Sequence, residues 1–189
     1  MASKQQVRYD VVIVGAGVVG CAAAKAFADR GRQVLILERN LARPDRIVGE
    51  LLQPGGVAAL EDLGLEDCLR GIDSTPVNGY HMFWRDDQEV SFWFCAPPPP
   101  PRPSPNGGQR KPPQGKPSGR SFHHGRFVEK LRHRIAGEGN ITLAEANVIE
   151  IIRDGDSGAA VGVRCRDEQL TEVRIFQAKI TLSRTWGHY

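Results

Sequence analysis

The 189 residues, 40% apolar and 25% charged, suffice for one substantial core and are too few for two complete enzyme domains. The formal charge of +3 is not a nucleic-acid signature: residues 97–119 hold Arg102, Arg110, Lys111, Lys116 and no acid, and the remainder carries 21 basic against 22 acidic groups. The longest apolar runs, Val11 to Gly17 and Gly20 to Ala24, fall short of the roughly 18 residues of a membrane span, and the polar start Met1 to Arg8 lacks the layout of a secretory signal, which predicts a chain facing the cytosol.

In chain order, Val7 to Val14 reads as a strand whose run Val11-Val12-Ile13-Val14 is apolar on both faces, as in the middle of a parallel sheet. A glycine turn follows. Val18 to Arg30 reads as an Ala-rich helix ended by Gly31, and Gln33 to Leu37 as a second apolar strand ending at Glu38. Strand, helix and strand within about 30 residues make a βαβ unit with a right-handed crossover. Pro54 opens a shorter helix through Leu63, stopped at Gly64. From Asn78 to Phe94 the residues Tyr80, Met82, Trp84, Val90, Phe92 and Phe94 alternate around Arg85-Asp86-Asp87-Gln88, the pattern of a hairpin.

Ten of the thirteen prolines then fall between Pro97 and Pro117, mixed with glycine and serine, a composition that can neither build a ladder nor bury a core. Residues 97–119 are therefore expected to be a disordered or polyproline insertion, and Pro97 to Pro105 also has the look of a docking ligand for proline-binding modules. Beyond it, His124 to Ala136 reads as a helix, Ile141 to Leu143 and Val148 to Ile152 as short strands, Gly155-Asp156-Ser157-Gly158 as a turn, and Val161 to Arg166 with Thr171 to Ile180 as a further hairpin. Cys21, Cys68, Cys95 and Cys165 are scattered and form no C-x-x-C pair, so they read as buried thiols. His123 and His124 have no acid or histidine at metal-ligand spacing beside them.

Gly15-Ala16-Gly17-Val18-Val19-Gly20 sits at the strand-to-helix junction of the βαβ unit. In that place Gly15 permits the tight turn, Gly17 lets the backbone approach a pyrophosphate, and Gly20 lets the helix pack closely on the strand. The helix N-terminus offers unpaired amides and a positive dipole end to phosphates. Glu38, 18 positions beyond Gly20 at the end of the second strand, stands where an acid accepts hydrogen bonds from an adenosine ribose. This unit alone suits NAD as well as FAD.

The choice between them comes from a resemblance carried by Glu38-Arg39, by the stretch from Pro44-Asp45-Arg46-Ile47-Val48-Gly49-Glu50 through Gln53-Pro54-Gly55-Gly56, by Asn78-Gly79-Tyr80, and by Phe122-His123-His124-Gly125-Arg126-Phe127. Together they resemble the squalene monooxygenase (squalene epoxidase) family of aromatic-hydroxylase-like flavoproteins, from about Tyr9 to Ile180 apart from the proline-rich insertion. The resemblance implies an α/β fold, an FAD-binding Rossmann-like βαβ unit with β-hairpin insertions, in truncated form. It implies the epoxidation of squalene to 2,3-oxidosqualene in sterol synthesis, with electrons from NADPH through a partner reductase, at the endoplasmic reticulum membrane. It places Gly15, Gly17, Val18, Val19 and Gly20 at the pyrophosphate turn, Glu38 and Arg39 at the adenosine, and Arg46, Arg132 and Val148 at further FAD contacts. It also sets Tyr80 and Gln53 on the wall of the substrate pocket.

For Arg132 the alternative is an ordinary solvated helix residue, and Tyr80 equally fits an inward ring of a half-buried hairpin. An NAD-linked dehydrogenase unit, or a non-catalytic interaction protein docking through its prolines, are the competing readings of the whole chain. The expected organisation is residues 1–96 as the first part of the FAD-binding domain, 97–119 as the insertion, 120–180 as its continuation, and 181–189 as a carboxyl tail that departs from the family pattern.

Overall fold

A computed structural model describes residues 8–46, 49–84, 89–94, 118–166 and 173–183. The hairpin turn Arg85 to Gln88, Cys95, residues 97–117 of the proline-rich segment and 184–189 of the tail lie outside the described residues. In chain order the elements are β1 (Tyr9–Val14), α1 (Val18–Ala28), β2 (Val34–Glu38), β3 (Gly49–Leu52), α2 (Pro54–Asp62), a 3-10 turn (Glu66–Leu69), β4 (Thr75–Val77), β5 (Gly79–Phe83), β6 (Glu89–Trp93), β7 (Gly119–His123), α3 (His124–Ala136), β8 (Ile141–Glu145), β9 (Asn147–Arg153), β10 (Ala160–Arg166) and β11 (Val173–Ser183). They fall into two compact units, residues 1–43 with 128–189, and residues 44–127.

The first unit is built on a six-stranded sheet of order β8-β2-β1-β11-β10-β9. β1 pairs parallel with β2 on one side and with β11 on the other, and β8 extends the parallel part beyond β2. Parallel neighbours require crossovers, here α1 between β1 and β2, and this is why the run Val11-Val12-Ile13, buried throughout, shows no polar alternation. β9, β10 and β11 form an antiparallel meander. Val148, Val163, Cys165 and Ala178 of the meander close one core cluster with Val12, Leu35 and Leu37 of the parallel strands. Cys21 and Cys165 are buried thiols of this unit, as Cys68 is of the other.

β11 does two jobs along its eleven residues. Its first half, Val173 to Gln177, pairs with β10; its second half, Ala178 to Ser183, runs parallel to β1 in the register Tyr9↔Ala178 to Val14↔Ser183. The strand expected to stop at Ile180 therefore takes in the first three residues of the expected tail, Thr181, Leu182 and Ser183. Their unlikeness to the family's sequence does not prevent pairing, because a parallel ladder is made by backbone groups. α1 stops two residues earlier than expected: Arg30 and Gly31 donate to the carbonyls of Phe27 and Ala28 in a tightened last turn, and Gly31 takes φ +72°.

In the second unit β7 lies between β3 and β4 in a small antiparallel sheet. Gly119, placed by composition in the insertion, is the first residue of β7 and pairs with Val77. A Cβ there would stand 2.6 Å from the Leu52 carbonyl oxygen, so glycine is required by the close approach of β3. α2 begins at Pro54 in its first turn and ends before Gly64, whose φ is +64°. The core of this unit gathers Leu60, Leu65, Leu69, Ile72, Phe122 and Phe127, all buried, with the rings of Phe122 and Phe127 4.6 Å apart. β5 and β6 form a separate two-stranded ribbon in the register Tyr80↔Phe92 and Met82↔Val90.

Candidate dinucleotide site

The glycine turn leaves the end of β1 at Gly15, which adopts φ +101° and donates its N–H to the Leu37 carbonyl across the sheet (2.7 Å). That left-handed conformation excludes side chains. Gly17 is the extended N-cap of α1, and no side chain caps the helix or places an acid in its first turn. The first internal bond joins the Cys21 N–H to the Gly17 carbonyl (2.9 Å), so the amides of the first turn are left to an external acceptor. Gly20 fixes how close the turn and helix come: a Cβ at that position would lie 1.9 Å from the Gly15 carbonyl oxygen. Val18 is half-buried while Val19 is 67% exposed at the mouth of the turn.

Glu38 closes β2 beside this turn. Its Oε2 accepts the Ala16 N–H at 2.8 Å and its Oε1 the Asn40 N–H at 3.3 Å. A carboxylate offers about four acceptor positions, so Oε1 keeps capacity for a ribose hydroxyl. Arg39 is exposed on the following residue. The Ala146 N–H donates to the Glu38 carbonyl (2.9 Å), which brings the start of β9 to the same end of the sheet. Val148 is on that edge strand; its side chain is 7% exposed inside the core cluster, leaving its backbone as the part that a ligand can address.

Arg132 is neither solvated nor turned outward. It is 6% exposed; its Nε donates to the Ala16 carbonyl (2.9 Å) and its Nη1 to the carbonyls of Asn40 (3.1 Å) and Ala42 (3.0 Å). Its Nη2 lies 3.5 Å from Glu38 Oε2. The loop after β2 has further anchors that sequence spacing does not reveal. The Leu41 N–H donates to Glu145 Oε2 at 2.8 Å, the Asn40 side chain accepts the Ala42 N–H at 2.8 Å, and Arg43 grips Glu129 of α3 through Nε and Nη2. The Arg43 guanidinium holds the Glu129 carboxyl below its ordinary range. Glu145 stands 104 residues from the amide it receives; no local pattern signals such a contact.

Arg46, Gln53 and Tyr80 belong to the second unit. Arg46 is exposed. The Gln53 side-chain amide donates to the Tyr80 hydroxyl, and the Tyr80 ring meets Phe94 edge-on at 5.5 Å. Tyr80 is 43% exposed, so the inward-facing ring expected from alternation is not what the ribbon provides. His124, at the first turn of α3, places Nδ1 2.6 Å from Glu50 Oε1. Among the described residues no three His, Cys, Asp or Glu side chains gather as a metal site, and no helix is long and apolar enough to cross a membrane.

The donor set fits an adenine dinucleotide: a glycine turn free of Cβ atoms, uncapped helix amides, and a carboxylate at the end of the second strand. The chain is similar to known proteins in the same sense. Residues 10–44, which hold β1, the glycine turn, α1, β2 and Glu38, match the family described as FAD dependent oxidoreductase. A squalene epoxidase of Gibberella zeae is 47% identical over 161 residues, 83% of this chain and 32% of that protein. One from Schizosaccharomyces pombe is 41% identical over 92% of this chain and 35% of its own length. The squalene monooxygenase of Mus musculus is 36% identical over 92% of this chain and 28% of its own length.

Among solved structures, the myxobacterial FAD-dependent halogenase CndH superposes with TM-score 0.71 at 24% identity, over 94% of this chain and 38% of that one. CmlS, a flavin-dependent halogenase, gives 0.70 at 21% identity over 93% and 28%; at such identities the likeness is one of fold. The chain spans about a third of the length of the curated relatives it matches. Over that third its sequence is similar to the squalene epoxidase (squalene monooxygenase) family, and its fold is similar to that of FAD-dependent halogenases and monooxygenases.

Proposed function

We propose that this chain provides the adenosine- and pyrophosphate-binding part of an FAD-dependent squalene monooxygenase, which converts squalene to 2,3-oxidosqualene in sterol synthesis. The observation that carries this reading is the joint between Ala16 and Glu38, a 2.8 Å hydrogen bond that sets the carboxylate beside the glycine turn. Gly15, Gly17 and Gly20 keep side chains out of the pyrophosphate path, and the amides around Val18 and Val19 face its charge. Glu38 with Arg39 takes the adenosine, Val148 offers backbone to the adenine edge, and Arg46 supplies a donor fork for phosphate or ribityl oxygens. Gln53 and Tyr80 form one wall for the hydrocarbon.

The bound flavin would supply the oxygen-activating chemistry, while the protein orients it and keeps water away. NADPH through a reductase is the electron source, and the endoplasmic reticulum membrane the place of work, both by relation to the family. Titration of the purified chain with FAD, followed by flavin fluorescence and by the visible absorbance of the protein fraction, tests the reading. Saturable FAD binding that is lost when Gly17 is replaced by a bulky residue supports it. Binding of NAD in preference to FAD would replace it with a nicotinamide-linked dehydrogenase unit.

A further inference from the structure

We propose that Glu145 is a positioning residue of the dinucleotide site, a role that rests on the FAD reading above, and that it acts through the backbone of residues 39–41. β8 and β2 are parallel neighbours with Glu38 opposite Glu145 in the register, so the last residue of β8 comes beside the acid that closes β2. Its Oε2 accepts the Leu41 N–H at 2.8 Å. The next residue, Ala146, donates its own N–H to the Glu38 carbonyl at 2.9 Å. Two consecutive residues at the joint of β8 and β9 thus hold the chain on both sides of Arg39 and Asn40.

The consequence falls on Glu38 Oε1. That oxygen accepts the Asn40 N–H at 3.3 Å, a long bond that weakens further with any tilt of the chain around it. The next peptide group, between Asn40 and Leu41, is held at both ends: its carbonyl by Arg132 at 3.1 Å and its N–H by Glu145. A planar group fastened at one end turns about that bond, and a second bond at the other end stops the rotation. Glu145 therefore fixes the plane beside the one that orients the ribose acceptor, and Arg39, exposed between the two anchors, takes its direction from the same backbone. Glu145 is itself exposed, and water takes up both partners when an exposed hydrogen bond is broken. Loss of the side chain thus costs the fold little and shows as a change of local geometry.

Amide hydrogen exchange of the whole chain without cofactor, FAD titration by flavin fluorescence and urea unfolding are compared among wild type, Glu145→Ala and Glu145→Gln. In Glu145→Ala the Leu41 and Asn40 amides are expected to exchange about tenfold faster or more, with FAD affinity weakened by a similar factor and the urea midpoint close to that of wild type. Glutamine keeps a carbonyl acceptor at the same reach without the charge, so Glu145→Gln should return exchange and affinity to within about threefold of wild type. Weakened affinity in both variants, with exchange restored in Glu145→Gln, would overturn the proposal in favour of a direct contact between the carboxylate and the cofactor. A lowered urea midpoint or failure to fold in Glu145→Ala, or faster exchange at unchanged affinity, would equally overturn it and leave Glu145 a purely structural residue. If the wild type binds no FAD, the FAD reading fails and Asn40 exchange still judges the positioning: acceleration in Glu145→Ala supports it, and a wild-type rate sinks it.

Discussion

Arg132 Nη2 lies 3.5 Å from Glu38 Oε2, the same oxygen that receives the Ala16 N–H. The acid proposed above for a ribose is thus also a structural part of the glycine turn. Its two oxygens are engaged unequally, Oε2 by the Ala16 N–H at 2.8 Å and Oε1 by the Asn40 N–H at a longer 3.3 Å.

Replacing Glu38 by Ala should consequently do two kinds of damage. FAD affinity is expected to fall by about 1–3 kcal/mol through loss of a charged acceptor, and folding stability by a similar amount, because Arg132 and the Ala16 N–H lose a partner inside the protein. Fluorescence titration and urea unfolding measure the two separately. Weakened binding with unaltered stability would mean that the Ala16 and Arg132 contacts contribute nothing to the fold.

Gly20→Ala is the sharper test of the turn itself. The new methyl would stand 1.9 Å from a backbone oxygen, that of Gly15, and no side-chain rotation can relieve such a contact. The helix must retreat from the strand, at a cost of about 1–3 kcal/mol, and pyrophosphate binding should be lost with it. Gly55→Ala, where a Cβ meets nothing within 4 Å, is the matched control and should leave FAD affinity within about twofold, a change well under 1 kcal/mol.

The βαβ core was legible because its signals are local and redundant: an apolar run, a glycine turn, an Ala-rich helix and an acid at the second strand's end. α3 was read from His124 to Ala136, the range observed. The short strands β3, β4 and β7 escaped, since three to five residues carry too little alternation and their pairing partners lie up to about 70 residues away. The site was legible to the same depth. Glu38 could be placed from its spacing and Arg132 named from the resemblance, whereas the bond from the Leu41 amide to Glu145 and the Arg43–Glu129 ion pair join residues far apart in the chain, a relation without sequence period. Val148 could be named from the resemblance, but its burial among Val12, Leu35 and Leu37 is a property of the meander folding over β1 and β2.

The acid limb of stability should be set by Asp10 and Asp154 together with Glu129, whose carboxyl Arg43 holds below its ordinary range. Hydrogen bonds from the Gln33 backbone and Lys179 hold the Asp10 carboxyl below its ordinary value of 3.8, and bonds from the Ser157 backbone and hydroxyl do the same for Asp154. A carboxyl whose pKa is lower folded than unfolded stabilises the fold above the unfolded value, and that contribution is lost as pH falls through the folded one. Tm is therefore expected to fall increasingly below about pH 4, and Asp154→Asn should shallow that decline while changing little at neutral pH. A Tm profile identical to wild type below pH 4 would remove Asp154 from the account.

The β5–β6 ribbon makes the last prediction. Tyr80, Met82, Trp84, Val90 and Phe92 are each at least 43% exposed, and Phe83 and Trp93 reach 73% and 71%, so apolar surface lies on both faces of an isolated two-stranded element. A ribbon of that kind has little core of its own, and a contiguous apolar surface promotes association. The purified chain should therefore self-associate as its concentration rises, and Phe83→Lys should suppress this. Phe83 stands opposite Glu89 in the register, so the new ammonium gains a cross-strand partner worth about 0.2–1 kcal/mol while a large exposed ring is removed. FAD affinity should not change, because β1, α1 and β2 hold the glycine turn and Glu38. Light scattering across a concentration series, with FAD titration on the same samples, measures both effects. Scattering equal to wild type in the Phe83→Lys variant would place the source of association elsewhere than the ribbon.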